Sequence, residues 1–222
     1  MDDSFSFVVQ DGQSVSGHLL MPPGARACYV LAHGAGAGME HPFMDGAARD
    51  LGALGIATLR YQFPYMQQRE RRPDPPGLCH ATVRAAVAEG ARRAPALPLF
   101  AGGRSFGGRM TSQAQALAAL PGVRGLAFLG FPLHPAGKPS DTRARHLAEV
   151  RIRMLFVQGT RDALAERARI EALVARLGER ATLELIEGAD HSFHVPARSG
   201  RKDAEVRHAL LQAVARWIDT LL

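Results

Sequence analysis

Lysine, tryptophan and cysteine are all scarce in this chain of 222 residues. Of its 27 basic residues only Lys138 and Lys202 are lysines, and it holds one tryptophan and two cysteines. No apolar run reaches the roughly 18 residues that a membrane-spanning helix needs, so none is predicted and no membrane partner is expected. The start, Met1-Asp2-Asp3-Ser4, is acidic and polar and lacks the basic opening and apolar stretch of a secretory signal. The two cysteines, Cys28 and Cys79, have no C-x-x-C spacing. Cys28 falls in a predicted central strand and Cys79 at a predicted helix start. That disfavours a disulfide and makes a reducing cytoplasm the expected compartment.

What is present is a balanced, apolar-rich composition. Apolar residues make up 46% of the chain, enough for a full core, and the length suits one compact domain over 1–222. The formal net charge of +6 raises the question of a nucleic-acid partner. The arginines, however, are scattered among acids, as in Glu166-Arg167-Ala168-Arg169-Ile170-Glu171, so no nucleic-acid partner is expected. One cluster, Arg69-Glu70-Arg71-Arg72, stands apart in a Pro-rich loop. It could reach the mouth of a site and bias it toward anionic substrates.

Strand-like and helix-like segments alternate, the pattern of an α/β fold with a mostly parallel sheet flanked by helices. Strands are predicted over 5–10 and 15–21, joined at the Asp11-Gly12 turn signal, then over 28–32, 56–61, 98–101, 123–129, 152–158 and 182–186. Helices are predicted over 43–54, 79–94, 107–120, 142–150, 165–177 and 203–222. The last shows Val206, Leu210, Val214, Trp217 and Leu221 at spacings of three and four. Residues 62–78 read as one long loop.

The chemistry centres on Gly103-Arg104-Ser105-Phe106-Gly107. It fits G-x-S-x-G, between a short buried strand and a helix, the setting of a nucleophile elbow. The turn strains the serine backbone, so the residues two before and two after must be small, as Gly103 and Gly107 are. The turn lifts the Ser105 hydroxyl above the sheet and aims the Phe106 amide at a developing oxyanion. Alone the pattern is weak, because glycine is common.

Three further features sharpen it. Asp162 follows the strand ending at Gln158, where a triad acid would sit, although a helix N-cap is an equal reading. His191 follows the last strand in Gly188-Ala-Asp-His-Ser-Phe193, from which a histidine can reach the serine. Asp190, its neighbour, is poorly placed to orient the same ring. The loop His33-Gly-Ala-Gly-Ala-Gly38 can supply a second oxyanion amide, from Ala35 or alternatively Gly36. It is no dinucleotide loop, since Met39 stands where the third glycine would. The order Ser105, Asp162, His191 is that of an α/β-hydrolase.

The chain resembles a small α/β-hydrolase, close to the dienelactone-hydrolase-like group and, within it, a bacterial branch. The segments that carry the resemblance are Leu31–Gly38, Tyr61-Gln-Phe-Pro-Tyr65, Gly102–Arg109, Gly130-Phe-Pro-Leu-His-Pro135, Gln158–Asp162 and Asp190–Phe193. It implies the fold and the Ser105, Asp162, His191 triad. Dienelactone hydrolases use a cysteine nucleophile; here the position is Ser105, so dienelactone is not the expected substrate. The 33–38 loop also differs from the H-G-G-G of lipases.

Only loop and one short helix separate the strands at 123–129 and 152–158, where many α/β-hydrolases insert a lid. An open site for short-chain esters or thioesters, or an exposed acyl group, is expected. Tyr61, Phe63, Tyr65, Phe131, Leu133 and Phe193 are candidates to line it, with core packing the alternative for each; His134 and Lys138 are placed to face substrate. The expected activity is a serine hydrolase working through an acyl-enzyme, with no metal or cofactor, as a monomer or homodimer. The competing reading is a catalytically silent scaffold of the same fold that acts as a binding or complex subunit.

Overall fold

Parallel strands buried on both faces read as unbroken apolar runs, and the centre of this sheet has that character. The computed structural model describes residues 2–10 and 12–222. Strands β3 (Ala27–Ala32) and β4 (Ile56–Tyr61) are buried at every position. They belong to one eight-stranded sheet with β1 (Asp2–Val8), β2 (Ser14–Leu20), β5 (Leu99–Arg104), β6 (Val123–Leu129), β7 (Arg153–Gly159) and β8 (Ala181–Ile186). The order is β1-β2-β4-β3-β5-β6-β7-β8. β1 pairs antiparallel with β2, β2 antiparallel with β4, and the remaining neighbours pair in parallel. The first hairpin is present; Asp11 of its predicted turn lies outside the described residues.

Helices cover both faces, which is what a right-handed parallel crossover topology requires. On one face α1 (Pro42–Ala53) and α6 (Asp203–Asp219) bury Met44, Leu51, Leu210, Val214 and Trp217 against Phe100, Leu155 and Ile186. On the other, α3 (Pro76–Arg93), α4 (Phe106–Leu117) and α5 (Arg167–Leu177) bury Val83, Val87, Met110, Ile170 and Leu173 against Phe128 and Phe156. Local chemistry sets the ends. His41 Nδ1 accepts the Phe43 amide at 3.1 Å at the start of α1. Gly55, at φ 73°, takes the left-handed turn after α1. Glu205 accepts the Lys202 amide at 2.9 Å at the start of α6.

The stretch predicted as one loop over 62–78 is more ordered than that. It contains a single turn of helix, α2 (Pro64–Gln67), and α3 begins early, at Pro76. Both helices open on a proline, which fits the first helical turn because its missing N–H would have had no partner there. The segment between β6 and β7 holds loop and a 3₁₀ helix over Thr142–Glu149 rather than an α-helix. Among the described residues no helix is long and apolar enough to cross a membrane.

Phe128 is fully buried, with ring centroids 5.3 Å from Phe131 and 5.0 Å from Phe156. Phe128→Ala is expected to lower unfolding stability by about 3–5 kcal/mol, seen as a drop in the urea midpoint at unchanged slope.

Candidate active site

The site is built where β5 turns into α4. Ser105 has φ 48° and ψ −113°, outside the regions a non-glycine residue ordinarily occupies. The strain is held by packing and two hydrogen bonds: the Ser105 amide donates to Leu129 O at 3.0 Å, and the Arg109 amide to Ser105 O at 3.1 Å. The flanking glycines are obligatory. A Cβ on Gly103 would lie 2.4 Å from the Ala32 carbonyl oxygen, and one on Gly107 would lie 2.5 Å from that of His33.

Two loops from β7 and β8 converge on this serine. His191 Nε2 is 2.8 Å from Ser105 Oγ, and His191 Nδ1 is 2.7 Å from Asp162 Oδ2. Asp162 has no exposed side-chain surface, while His191 keeps 23%. A buried carboxylate needs donors on its remaining lone pairs. It has them: Gln158 Nε2 at 2.5 Å and the Leu164 amide at 2.7 Å. Asp162 does not cap the next helix, since α5 starts at Arg167 after Glu166. Asp190 leaves His191 alone. Its Oδ1 accepts the amides of Ser192 at 2.8 Å and His194 at 2.9 Å, which folds the loop that presents the histidine. Gly130, at φ 72°, lies under the His191 ring; a Cβ there would come within 3.6 Å of Nδ1.

The 33–38 loop wraps over the elbow and is braced from β4 onward. His33 is fully buried. Its Nε2 accepts the Phe63 amide at 3.1 Å, so the proton sits on Nδ1, which donates to Gly34 O at 2.8 Å. Burial holds this imidazole neutral, pushing its pKa from 6.5 down to about 4. Gln62 Oε1 accepts the Met39 amide at 2.9 Å, and Arg60 donates to Met39 O at 3.1 Å. The Gly36 amide donates to the Tyr65 hydroxyl at 3.1 Å. Gly36 is thereby occupied, whereas among the described residues neither the Ala35 nor the Phe106 amide donates to a loop, cap or side-chain acceptor.

The cleft over Ser105 has a volume of about 420 Å³ and is lined by Gly34, Ala35, Gly36, Ala37, His41, Arg104, Leu164, His191 and Ser192. Most of the side chains expected to line it do not. Tyr61, Phe63, Tyr65, Phe131 and Leu133 are buried in the core. Tyr61, Phe63 and Tyr65 form a mostly edge-to-face aromatic cluster with Phe7 and Phe106 that supports the glycine-rich loop from below. A loop with almost no side chains of its own needs such a floor. Phe131 packs edge-on to Phe128 and Phe156. His134 is buried, with Nδ1 2.9 Å from Pro135 O, and Lys138 is exposed without lining the cleft. Phe193, at φ 61°, stacks on Phe43 and lines an adjoining hollow of about 290 Å³. Residues 69–72 line neither space.

Sequence reasoning missed Gln158 as the brace of Asp162. It also missed His41, Leu164, Ser192 and above all Arg104 as cleft walls. For Arg104 a signal existed, since it is the variable position directly before the serine. Among the described residues no group of side chains is arranged to hold a metal ion.

A strained serine on a strand-to-helix turn, met by a histidine and an acid from later strands, defines the nucleophile-elbow class of open parallel-sheet proteins. The chain belongs to the alpha/beta hydrolase domain family, whose model matches residues 25–219. Solved structures share the fold over nearly the whole length. A dienelactone hydrolase from Anabaena variabilis is 22% identical with a TM-score of 0.77, over 100% of this chain and 98% of that one. A serine hydrolase without lid from Xanthomonas campestris is 22% identical at TM-score 0.74, over 97% and 94%. A serine hydrolase homologue from Coxiella burnetii is 18% identical at TM-score 0.74, over 95% and 96%.

The neutral buried His33 links stability to pH. In the unfolded chain it takes up a proton near pH 6.5, and in the folded chain only near about 4. The unfolded state therefore binds more protons between these values. Stability is expected to fall as pH drops through that window, by up to about 1.4 kcal/mol per pH unit from this group, and to be independent of it above. Urea midpoints at pH 7, 6 and 5 check this, and the slope should shrink in His33→Gln.

Proposed function

We propose that the protein is a serine hydrolase that cleaves short, accessible esters or thioesters through an acyl-enzyme. The observation that carries this is the unbroken chain of hydrogen bonds from Ser105 Oγ through the His191 ring to Asp162, at 2.8 and 2.7 Å. A surface histidine or a capping aspartate would have no reason to meet in this order.

In this reading His191 Nε2 takes the Ser105 proton as Oγ attacks the substrate carbonyl. Asp162 keeps the other ring proton on Nδ1 and stabilises the imidazolium. The free amides of Ala35 and Phe106, the latter at the start of α4, receive the oxyanion. His191 then gives its proton to the departing alcohol or thiol, and Ser105 is left acylated. Water then bonds to the acyl carbon as it gives a proton to His191, and the ring passes that proton to Ser105 Oγ as the acyl–oxygen bond breaks and the acid leaves. No step calls for a metal or cofactor. The segment after β6, loop and the 3₁₀ helix over Thr142–Glu149, does not line the cleft and forms no lid over it, which favours small acyl groups over long lipid chains.

The expected outcome for Ser105→Ala is a folded protein with at least about 10³-fold lower kcat on p-nitrophenyl acetate and butyrate, with Asp162→Asn similarly impaired. A fluorophosphonate should label Ser105 of the wild type and leave Ser105→Ala untouched. A wild type that neither turns over ester nor takes the label would instead be the silent scaffold.

A further inference from the structure

Arg104 precedes the nucleophile and lines both the cleft over Ser105 and the adjoining hollow. Its guanidinium carbon sits 4.4 Å from the centre of the Phe43 ring, and that ring stacks on Phe193 at 6.0 Å. This fixes the planar cation on an aromatic bed. The side chain is half-buried, and burial acts against its charge, with Asp190 the opposing influence. Yet no carboxylate among the described residues lies within ion-pair distance of it. The other charges of the hollow are engaged: Arg207 with Asp50 at 2.8 Å, and Asp203 with His194 at 2.8 Å. Two neutral donors share the wall. His41 spends Nδ1 on the Phe43 amide, so its Nε2 carries the proton, and Ser192 lines the same hollow.

A guanidinium half-withdrawn from water, immobilised on a ring and paired with no carboxylate carries a desolvation cost that an incoming anion would offset. Arginine cannot relieve the cost by losing its proton. We propose that Arg104, assisted by His41 and Ser192, binds an anionic group of the substrate, a carboxylate a few atoms from the scissile carbonyl, so that the enzyme prefers acidic esters to neutral ones of the same shape. This rests on the hydrolase reading above and specifies its substrate class. It also moves the expected anionic bias from the exposed 69–72 cluster to the wall of the cleft.

Two matched pairs of esters test it. Mono-4-nitrophenyl adipate against its methyl ester places the charge on the acyl side; 4-acetoxybenzoate against its methyl ester places it on the leaving side. In wild type, kcat/KM should favour the anionic member of one pair by roughly tenfold or more, a reasonable return for a charge-assisted hydrogen-bonded contact. That ratio should fall at least about tenfold in Arg104→Gln and recover in part in Arg104→Lys. The pair that responds tells which side of the bond faces Arg104. Binding is read separately by calorimetric titration of Ser105→Ala with monomethyl adipate and with 4-acetoxybenzoate. Heat that vanishes on adding Arg104→Gln upholds the anion site even where no ester is turned over; the hydrolase reading alone then fails. Ratios unchanged by Arg104→Gln, or neither turnover nor Arg104-dependent heat, overturn the proposal.

Discussion

The close approach of the β5–α4 turn to the end of β3 is the constraint on which the site depends. Gly103 and Gly107 rest on the backbone of Ala32 and His33 at distances that exclude any side chain. That contact forces Ser105 into its strained conformation and brings its hydroxyl up to the sheet's carboxyl edge. A residue with φ 48° persists only where its surroundings over-determine it. Here they do, through the bond to Leu129 on one side and the start of α4 on the other.

Around this rigid point every catalytic candidate is held by a loop, and every loop is braced by a side-chain hydrogen bond. His33, Gln62 and Tyr65 hold the glycine-rich loop. Gln158 ties Asp162 to the next loop through the Phe131 amide, which it accepts at 2.9 Å. Asp190 folds the His191 turn upon itself. Glycine-rich backbone costs conformational entropy to order, and these bonds offset part of it. They also leave the Ala35 amide free while engaging that of Gly36.

The open top has a second consequence. With no lid to enclose substrate, selectivity falls to the few side chains on the cleft wall. The aromatic residues of the strand ends are absent from that wall because they are spent below it, as a floor for the 33–38 loop. Arg104, perched on Phe43, remains there together with His41 and Ser192.

Much of this was legible in the chain itself. The alternation of apolar runs and amphipathic segments located the strands and most helices, because burial on two faces and on one leaves different periodicities. Ser105 could be read from two glycines, and Asp162 and His191 from their positions after strands, since the parallel topology carries each such loop to the same sheet edge. What only the tertiary structure decided was contact. Whether Asp162 capped a helix or met His191, whether Ala35 or Gly36 kept a free amide, and whether Tyr61 and Phe63 faced substrate or core all turn on residues tens of positions apart. Side chains that pack in the core and side chains that line a pocket have the same composition. Which of the two a residue does is set by the neighbours that folding brings to it.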